Sequence, residues 1–261
     1  MALLEVEDMS LRFGGHTAIR SLSFSVEAGE TLGLIGPNGA GKTCVFNCIS
    51  GFYRPFAGSI VFAGTSLLRL RPDERAALGL ARTFQNLRLF PRLSAEDNVL
   101  SGTHCRTRAR LVSSVLRLPS QVREEREARA QARRWLEFVG LAGEARRAAG
   151  NLPYGAQRRL EIARAMAVRP TLLLLDEPAA GLSTPEKIAL MDLIHRIRDA
   201  GVTLLLIDHD MTLIMSITSR LIVLDHGEKL AEGAPAEVRR DPRVLDAYLG
   251  RESDEDIEQA P

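Results

Sequence analysis

The sequence predicts an α/β protein: a mostly parallel sheet with helices, flanked by a small antiparallel layer and interrupted by a helical insert. Three observations predict it. Leu172–Leu175 and Val202–Ile207 are short, continuous apolar runs, as strands buried on both faces should be. Helix-like stretches, Pro185–Ala200 and Leu213–Ser219, follow them in alternation. Between Ser94 and about Arg169 no strand pattern is found.

Along the chain, Leu3, Glu5 and Glu7 alternate with Leu4, Val6 and Asp8, and Ala18–Val26 alternates again, predicting antiparallel sheet. Glu27-Ala28-Gly29-Glu30 reads as a turn, and Thr31–Ile35 as a buried strand. A glycine-rich loop leads to a helix over Thr43–Ser50, and Gly58–Phe62 returns to strand character. In the strand-free middle, Ser120–Val139 is rich in Arg, Glu and Ala, the plain signature of a solvated helix face. Trp135, Phe138 and Val139 supply one apolar stripe, closed off by Gly140 and Gly143. A strand over Leu221–Leu224 ends at the turn Asp225-His226-Gly227-Glu228. The expected organisation is a single domain over 1–250, its sheet parts in 1–86 and 165–250, its helical subdomain in 87–164, and an acidic, frayed tail over 251–261.

Composition excludes several classes. The 261 residues suffice for one large domain or two small ones. Lys plus Arg is 34 against 33 for Asp plus Glu, so no net field draws the chain to nucleic acid. Lysine occurs only at Lys42, Lys187 and Lys229, which singles out a lysine inside a glycine-rich turn. Residues Met1 to Glu7 lack the succession of a secretory signal, and the apolar runs fall far short of the roughly 20 residues a membrane-spanning helix needs. Cys44, Cys48 and Cys105 have neither metal spacing nor a disulfide framework, which suits a reduced, cytoplasmic protein. Cys44 and Cys48 lie four apart on one expected helix, where packing explains them.

Gly36-Pro37-Asn38-Gly39-Ala40-Gly41-Lys42-Thr43 matches the P-loop pattern between a buried strand and a helix. Its glycines let successive backbone N–H groups face one centre, and the helix adds its unpaired donors. Lys42 is placed for the outer phosphates and Thr43 for Mg²⁺. Phe13, beside Gly14-Gly15, is either a base-stacking aromatic or a core residue. Asp176 and Glu177 sit at the carboxyl end of a buried strand, where parallel sheets place ligands. Asp176 suits a hard cation, and Glu177 can polarise a water. His209 emerges in the same way from the next strand and is a candidate phosphate contact.

These residues together resemble the ATP-binding subunits of ABC transporters, over essentially the whole chain. The resemblance implies a P-loop NTPase (RecA-like) core with a small antiparallel β layer and an inserted helical subdomain. It implies catalytic roles for Glu177, His209, Gln85 and Lys42, and a magnesium site made by Thr43, Gln85 and Asp176. ATP contacts are implied for Phe13, Gly36, Pro37, Asn38, Gly39, Ala40, Gly41, Lys42, Thr43 and Cys44. Leu152-Pro153-Tyr154-Gly155-Ala156-Gln157 takes the place of the signature motif, from which Tyr154, Gly155 and Ala156 would contact the nucleotide of a second, similar or identical subunit. Gly181-Leu182-Ser183 corresponds to the loop that crosses to that partner.

Within the family, Phe13-Gly14-Gly15, Gln157-Arg158-Arg159-Leu160-Glu161-Ile162, Pro178-Ala179-Ala180-Gly181-Leu182 and the ending Asp241-Pro242-Arg243 to Ala247-Tyr248-Leu249-Gly250 resemble the importer ATPases for branched-chain and other hydrophobic amino acids. A related branch serves lipopolysaccharide export, and a soluble ABC-type ATPase of DNA repair or chromosome organisation is a further alternative. The implied partners are transmembrane permease subunits and, indirectly, a solute-binding protein, with no nucleic acid; the implied place is the cytoplasmic face of the inner membrane. Leu87, Leu89, Phe90 and Leu93 either dock a membrane subunit or pack the insert on the core.

The signature departs from the common Leu-Ser-Gly-Gly-Gln. Pro153 has neither hydroxyl nor N–H, and Ala156 lacks an amide. Backbone donors at Tyr154 and Gly155 remain, along with a helix expected to begin near Ala156. A weaker or slower site is the expectation.

Overall fold

The computed structural model describes residues 2–103 and 119–248. The expected tail and Cys105 lie outside the described residues. Strands β1 (Ala2–Phe13) and β2 (His16–Glu27) pair antiparallel, and β4 (Ala57–Phe62) and β5 (Thr65–Ser66) extend them in the order β2-β1-β4-β5. The predicted alternation therefore matches a sheet packed on one face: Leu4, Val6, Ile19, Leu22, Val26, Ile60 and Phe62 are buried.

The second sheet has six strands, with β3 (Thr31–Ile35), β6 (Leu80–Arg82), β7 (Leu172–Asp176), β8 (Thr203–Ile207), β9 (Arg220–Asp225) and β10 (Glu228–Gly233) in the order β10-β9-β3-β8-β7-β6. All neighbours are parallel except the hairpin β9–β10. The unbroken apolar runs have a simple cause. Leu172, Leu174, Leu205 and Ile207 face the core shared with the antiparallel layer, while Leu173, Leu175, Leu204 and Leu206 face a second core under the helices. Each such leucine stabilises the fold by roughly 1.5–3 kcal/mol relative to exposure.

Sequence periodicity missed several short elements, β5, β10 and the helices Pro72–Ala77 and Pro235–Val238 among them, and two more bear on the site. Strand β6 is only three residues long, too short to show a period, and pairs Leu80 with Leu172 and Arg82 with Leu174. The helix Ala95–Thr103 is short; Ser94 starts it, accepting the Asp97 N–H at 3.0 Å. The Arg- and Glu-rich helix runs over Pro119–Phe138. Its buried stripe is Ala132, Leu136 and, just beyond, Val139. Trp135 and Phe138 flank that stripe instead, edge-on with centroids 5.6 Å apart.

The apolar residues after Gln85 divide. Leu89 packs on the helical core, whereas Phe90 and Leu93 are exposed.

Candidate nucleotide site

The parallel sheet brings the loops after β3, β7 and β8 to one edge. After Ile35 the chain turns at Gly36, whose φ is +146°. A Cβ there would lie 2.1 Å from the Leu224 carbonyl oxygen, so only glycine lets the loop close against β9. Ala40 donates its N–H to the Pro37 carbonyl at 3.2 Å, and its methyl is buried in the core. Whatever Ala40 gives a ligand must come from its backbone. Lys42 folds back over the loop, donating to the carbonyls of Gly36 at 2.6 Å and Pro37 at 2.9 Å.

The helix Lys42–Ser50 follows, with Thr43 exposed at its first turn. The Cys44 thiol packs against the core, leaving only its first-turn backbone to face the loop. Phe13 lies 45 % exposed, edge-on to Tyr53 with centroids 5.0 Å apart. Of its two sequence readings, core packing is excluded.

At the ends of β7 and β8 the acidic residues meet their neighbours. The Gln85 side-chain amide donates to Glu177 Oε2 at 3.0 Å, and His209 Nδ1 lies 3.9 Å from the same oxygen. The second distance is beyond a hydrogen bond. Glu177 holds φ +45° and donates its own N–H to the Ile207 carbonyl at 2.8 Å. Asp208 is buried and accepts the N–H groups of Ala179 and Asp210, tying the loop after Glu177 to the one carrying His209.

Asp176 is buried. Its Oδ2 accepts from Arg82 at 2.7 Å, whereas its Oδ1 is buried with no hydrogen-bond partner. An unsatisfied buried carboxylate oxygen is costly without a ligand, and it fits a hard cation or that cation's water. No group of three or more His, Cys, Asp or Glu among the described residues could hold an ion. The remaining oxygens would come from Thr43, Gln85, phosphate and water, which is how Mg²⁺ is usually held.

The signature segment forms a separate pole. The helix spans Tyr154–Ala167, two residues earlier than expected, with Pro153 as its N-cap and no side-chain cap. Gln157 makes the first turn's bond, N–H to the Pro153 carbonyl at 3.0 Å. The N–H groups of Tyr154, Gly155 and Ala156 therefore lack an intrahelical acceptor, as first-turn donors do. Ala156 itself has a buried methyl. A Cβ on Gly155 would lie 2.2 Å from Glu186 Oε1, and one on Gly181 3.1 Å from the Tyr154 ring. These residues thus come together with the loop after Glu177.

From this helix three side chains, each three positions apart, grip the segment around Gln85. Arg158 donates to the carbonyls of Phe84 at 3.0 Å and Gln85 at 2.6 Å. Arg164 donates to the Arg88 carbonyl, and Glu161 accepts the Arg88 N–H at 3.3 Å. Glu161 is buried between both arginines, and burial raises its pKa despite them. Sequence reading did not assign Arg82, Arg158 or Arg164 these contacts. In a chain with 34 basic residues, nearly all arginine, a buried arginine looks like any other until the fold is known.

A family model described as "ABC transporter" matches residues 19–180. The chain belongs to the ABC transporter family. It is an ATP-hydrolysing, nucleotide-binding subunit of that type, and its mixed α/β fold is that of ABC cassettes. A second model, "Branched-chain amino acid ATP-binding cassette transporter", matches residues 228–254. Among curated relatives, the high-affinity branched-chain amino acid transport ATP-binding protein BraF of Pseudomonas aeruginosa is 46% identical over 95% of this chain and 98% of its own. LivG of Escherichia coli K12, with the same described role, is 45% identical over the same shares. LptB of Acidithiobacillus ferridurans, a lipopolysaccharide export system ATP-binding protein, is 34% identical over 95% of this chain and 97% of its own. The crystal structure of an ABC transporter's ATP-binding cassette in its ADP conformation superposes with a TM-score of 0.83 at 28% identity, covering 96% of this chain and 99% of that one. Among the described residues of this ABC subunit, no helix is long and apolar enough to cross a membrane.

Proposed function

We propose that this ABC subunit hydrolyses Mg²⁺-bound ATP as a two-fold nucleotide-sandwich dimer, powering uptake of branched-chain or other hydrophobic amino acids. The observation that carries the chemistry is the convergence of Gln85 and His209 on the Glu177 carboxylate. Glu177 is the base that orients water toward the γ phosphate, Gln85 fixes the carboxylate, and His209 closes on the phosphate. Gly36–Thr43 and the Cys44 backbone cradle the phosphates, with Lys42 exchanging its loop carbonyls for phosphate oxygens; Phe13 stacks on adenine. Thr43, Gln85 and Asp176 would hold Mg²⁺, which when bound neutralises charge on the phosphates. Tyr154, Gly155 and Ala156 would present their spare N–H groups to the partner's nucleotide.

The solute and direction rest on the relatives. Identity of 46% to a branched-chain amino acid transport protein, against 34% to a lipopolysaccharide exporter's subunit, favours import, as does the match over 228–254. The chain then works as one domain over 1–250, peripheral on the cytoplasmic face of the inner membrane. There it acts beneath permease subunits that receive solute from a binding protein, with exposed Phe90 and Leu93 near the docking surface.

Glu177→Gln tests the chemistry and the dimer together. It should bind ATP, lose turnover and elute as a dimer on size exclusion with ATP and Mg²⁺. A mutant that remains monomeric at high concentration counts against the sandwich. Amino-acid uptake into vesicles carrying the co-purified permease tests the solute.

A further inference from the structure

Arg82 is a buried charge that no role above uses, and it touches the metal-site candidate Asp176 directly. It ends the edge strand β6, three residues before Gln85, and its side chain is 6% exposed. One terminal nitrogen donates to Asn47 Oδ1 at 2.7 Å and Ser50 Oγ at 2.8 Å, both on the helix after the phosphate loop. The other donates to Asp176 Oδ2 at 2.7 Å. The guanidinium also lies over three rings, 5.5 Å from Phe46, 5.9 Å from Phe52 and 5.1 Å from Phe84.

We infer that Arg82 is a positioning residue for the metal site: its fork clamps one oxygen of Asp176 to the phosphate-loop helix, so that the other oxygen alone is offered to Mg²⁺. This rests on the magnesium site proposed above. The Asp176 backbone N–H is held by Thr83 Oγ1 at 3.3 Å, so the residue is fixed at both ends. With Oδ2 committed, Oδ1 is left buried and unpartnered. A carboxylate free to rotate would lose that bias, and a groove holding an ion is only as precise as the groups behind its ligands.

Arg82 offers a rigid planar fork, which an ammonium cannot copy across three acceptors on two elements. A buried guanidinium also needs compensation, and the aromatic cage supplies part of it. The same clamp joins the strand leading to Gln85, the helix that begins at Lys42 and the strand ending at Asp176. The three segments that must agree on where the metal sits thus share one side chain.

The test measures binding and not turnover. The affinity of AMP-PNP, a non-hydrolysable ATP analogue, is determined by calorimetry with Mg²⁺ and again with EDTA, for wild type, Arg82→Met and Arg82→Lys. Circular dichroism and thermal melts establish which variants are folded. The expected result is that Arg82→Met keeps its metal-free affinity within about two-fold while the gain from Mg²⁺ shrinks by about 10-fold or more. Arg82→Lys retains charge and stem, so it should fold even where methionine does not. It should show the same selective loss, smaller in size. Equal losses with and without Mg²⁺ would make Arg82 a packing residue and overturn the inference. Tighter Mg²⁺-dependent binding would also overturn it, since Arg82 would then compete with the metal. A wild type whose affinity ignores Mg²⁺ would remove the metal site itself, and with it this role for Arg82.

Discussion

Gln85 donates its side-chain amide to the Glu177 carboxylate at 3.0 Å across two non-adjacent stretches of chain, one after the edge strand β6 and one after β7. The pairing fixes a carboxylate oxygen in the open site. Gln85→Ala should therefore lower kcat by roughly 10-fold or more, because the water-activating group loses its orientation, with a smaller rise in KM for Mg²⁺-ATP from the lost magnesium ligand. Steady-state kinetics separate the two parameters. A rise in KM with kcat intact would assign Gln85 to ground-state binding instead.

Pro153 caps a helix that has no side-chain cap. Pro153→Ser should raise stability by about 1 kcal/mol, the usual worth of a serine N-cap, and this is read from thermal unfolding without nucleotide. If the absent hydroxyl also limits the phosphate contact, ATPase activity should rise in the same variant. Unchanged affinity and rate would show the hydroxyl to be immaterial to turnover.

Glu161 predicts a pH effect with a definite sign. Burial raises its folded pKa above that of an ordinary glutamate. Folding therefore takes up a proton between the unfolded and folded values, and this residue's contribution to stability falls as pH rises through that window. Glu161→Gln should flatten that part of the stability profile. Arg158→Met, which leaves Glu161 with one partner fewer, should cost about 3–5 kcal/mol. Denaturant melts across pH measure both.

Burial pushes the Cys48 thiol up to about 12, and the Cys44 thiol rises as well. At pH 8 native Cys48 should alkylate roughly 10³-fold more slowly than a free thiol. Iodoacetamide labelling in a Cys105→Ser background, native against denatured, checks this. Rapid native labelling at Cys48 would mean the helix Lys42–Ser50 opens readily.

Much of this was legible in the sequence where chemistry forces a local pattern. The Gly36–Thr43 loop needs its residues for steric reasons, and strands buried on both faces need unbroken leucine. What stayed hidden was set by partners far along the chain. Arg82 meets Asp176 across 94 positions, and nothing near residue 82 announces it. Strand β6 exists because β7 offers it an edge, not because three residues have a strand period. Trp135 and Phe138 seemed the natural core of their helix, yet the smaller Ala132 and Leu136 take the buried face where the helix meets its neighbours. The start of the Tyr154 helix was displaced because proline suits the lead-in to a helix as well as it suits a loop.

Glu177 keeps a left-handed backbone, φ +45°, where an L-residue with a long side chain is disfavoured by about 1–2 kcal/mol. Glycine or asparagine would relax there, while glutamine would not. Selection of this protein for heat resistance alone should therefore drift toward Gly or Asn at position 177. Selection for work done keeps the uncomfortable glutamate.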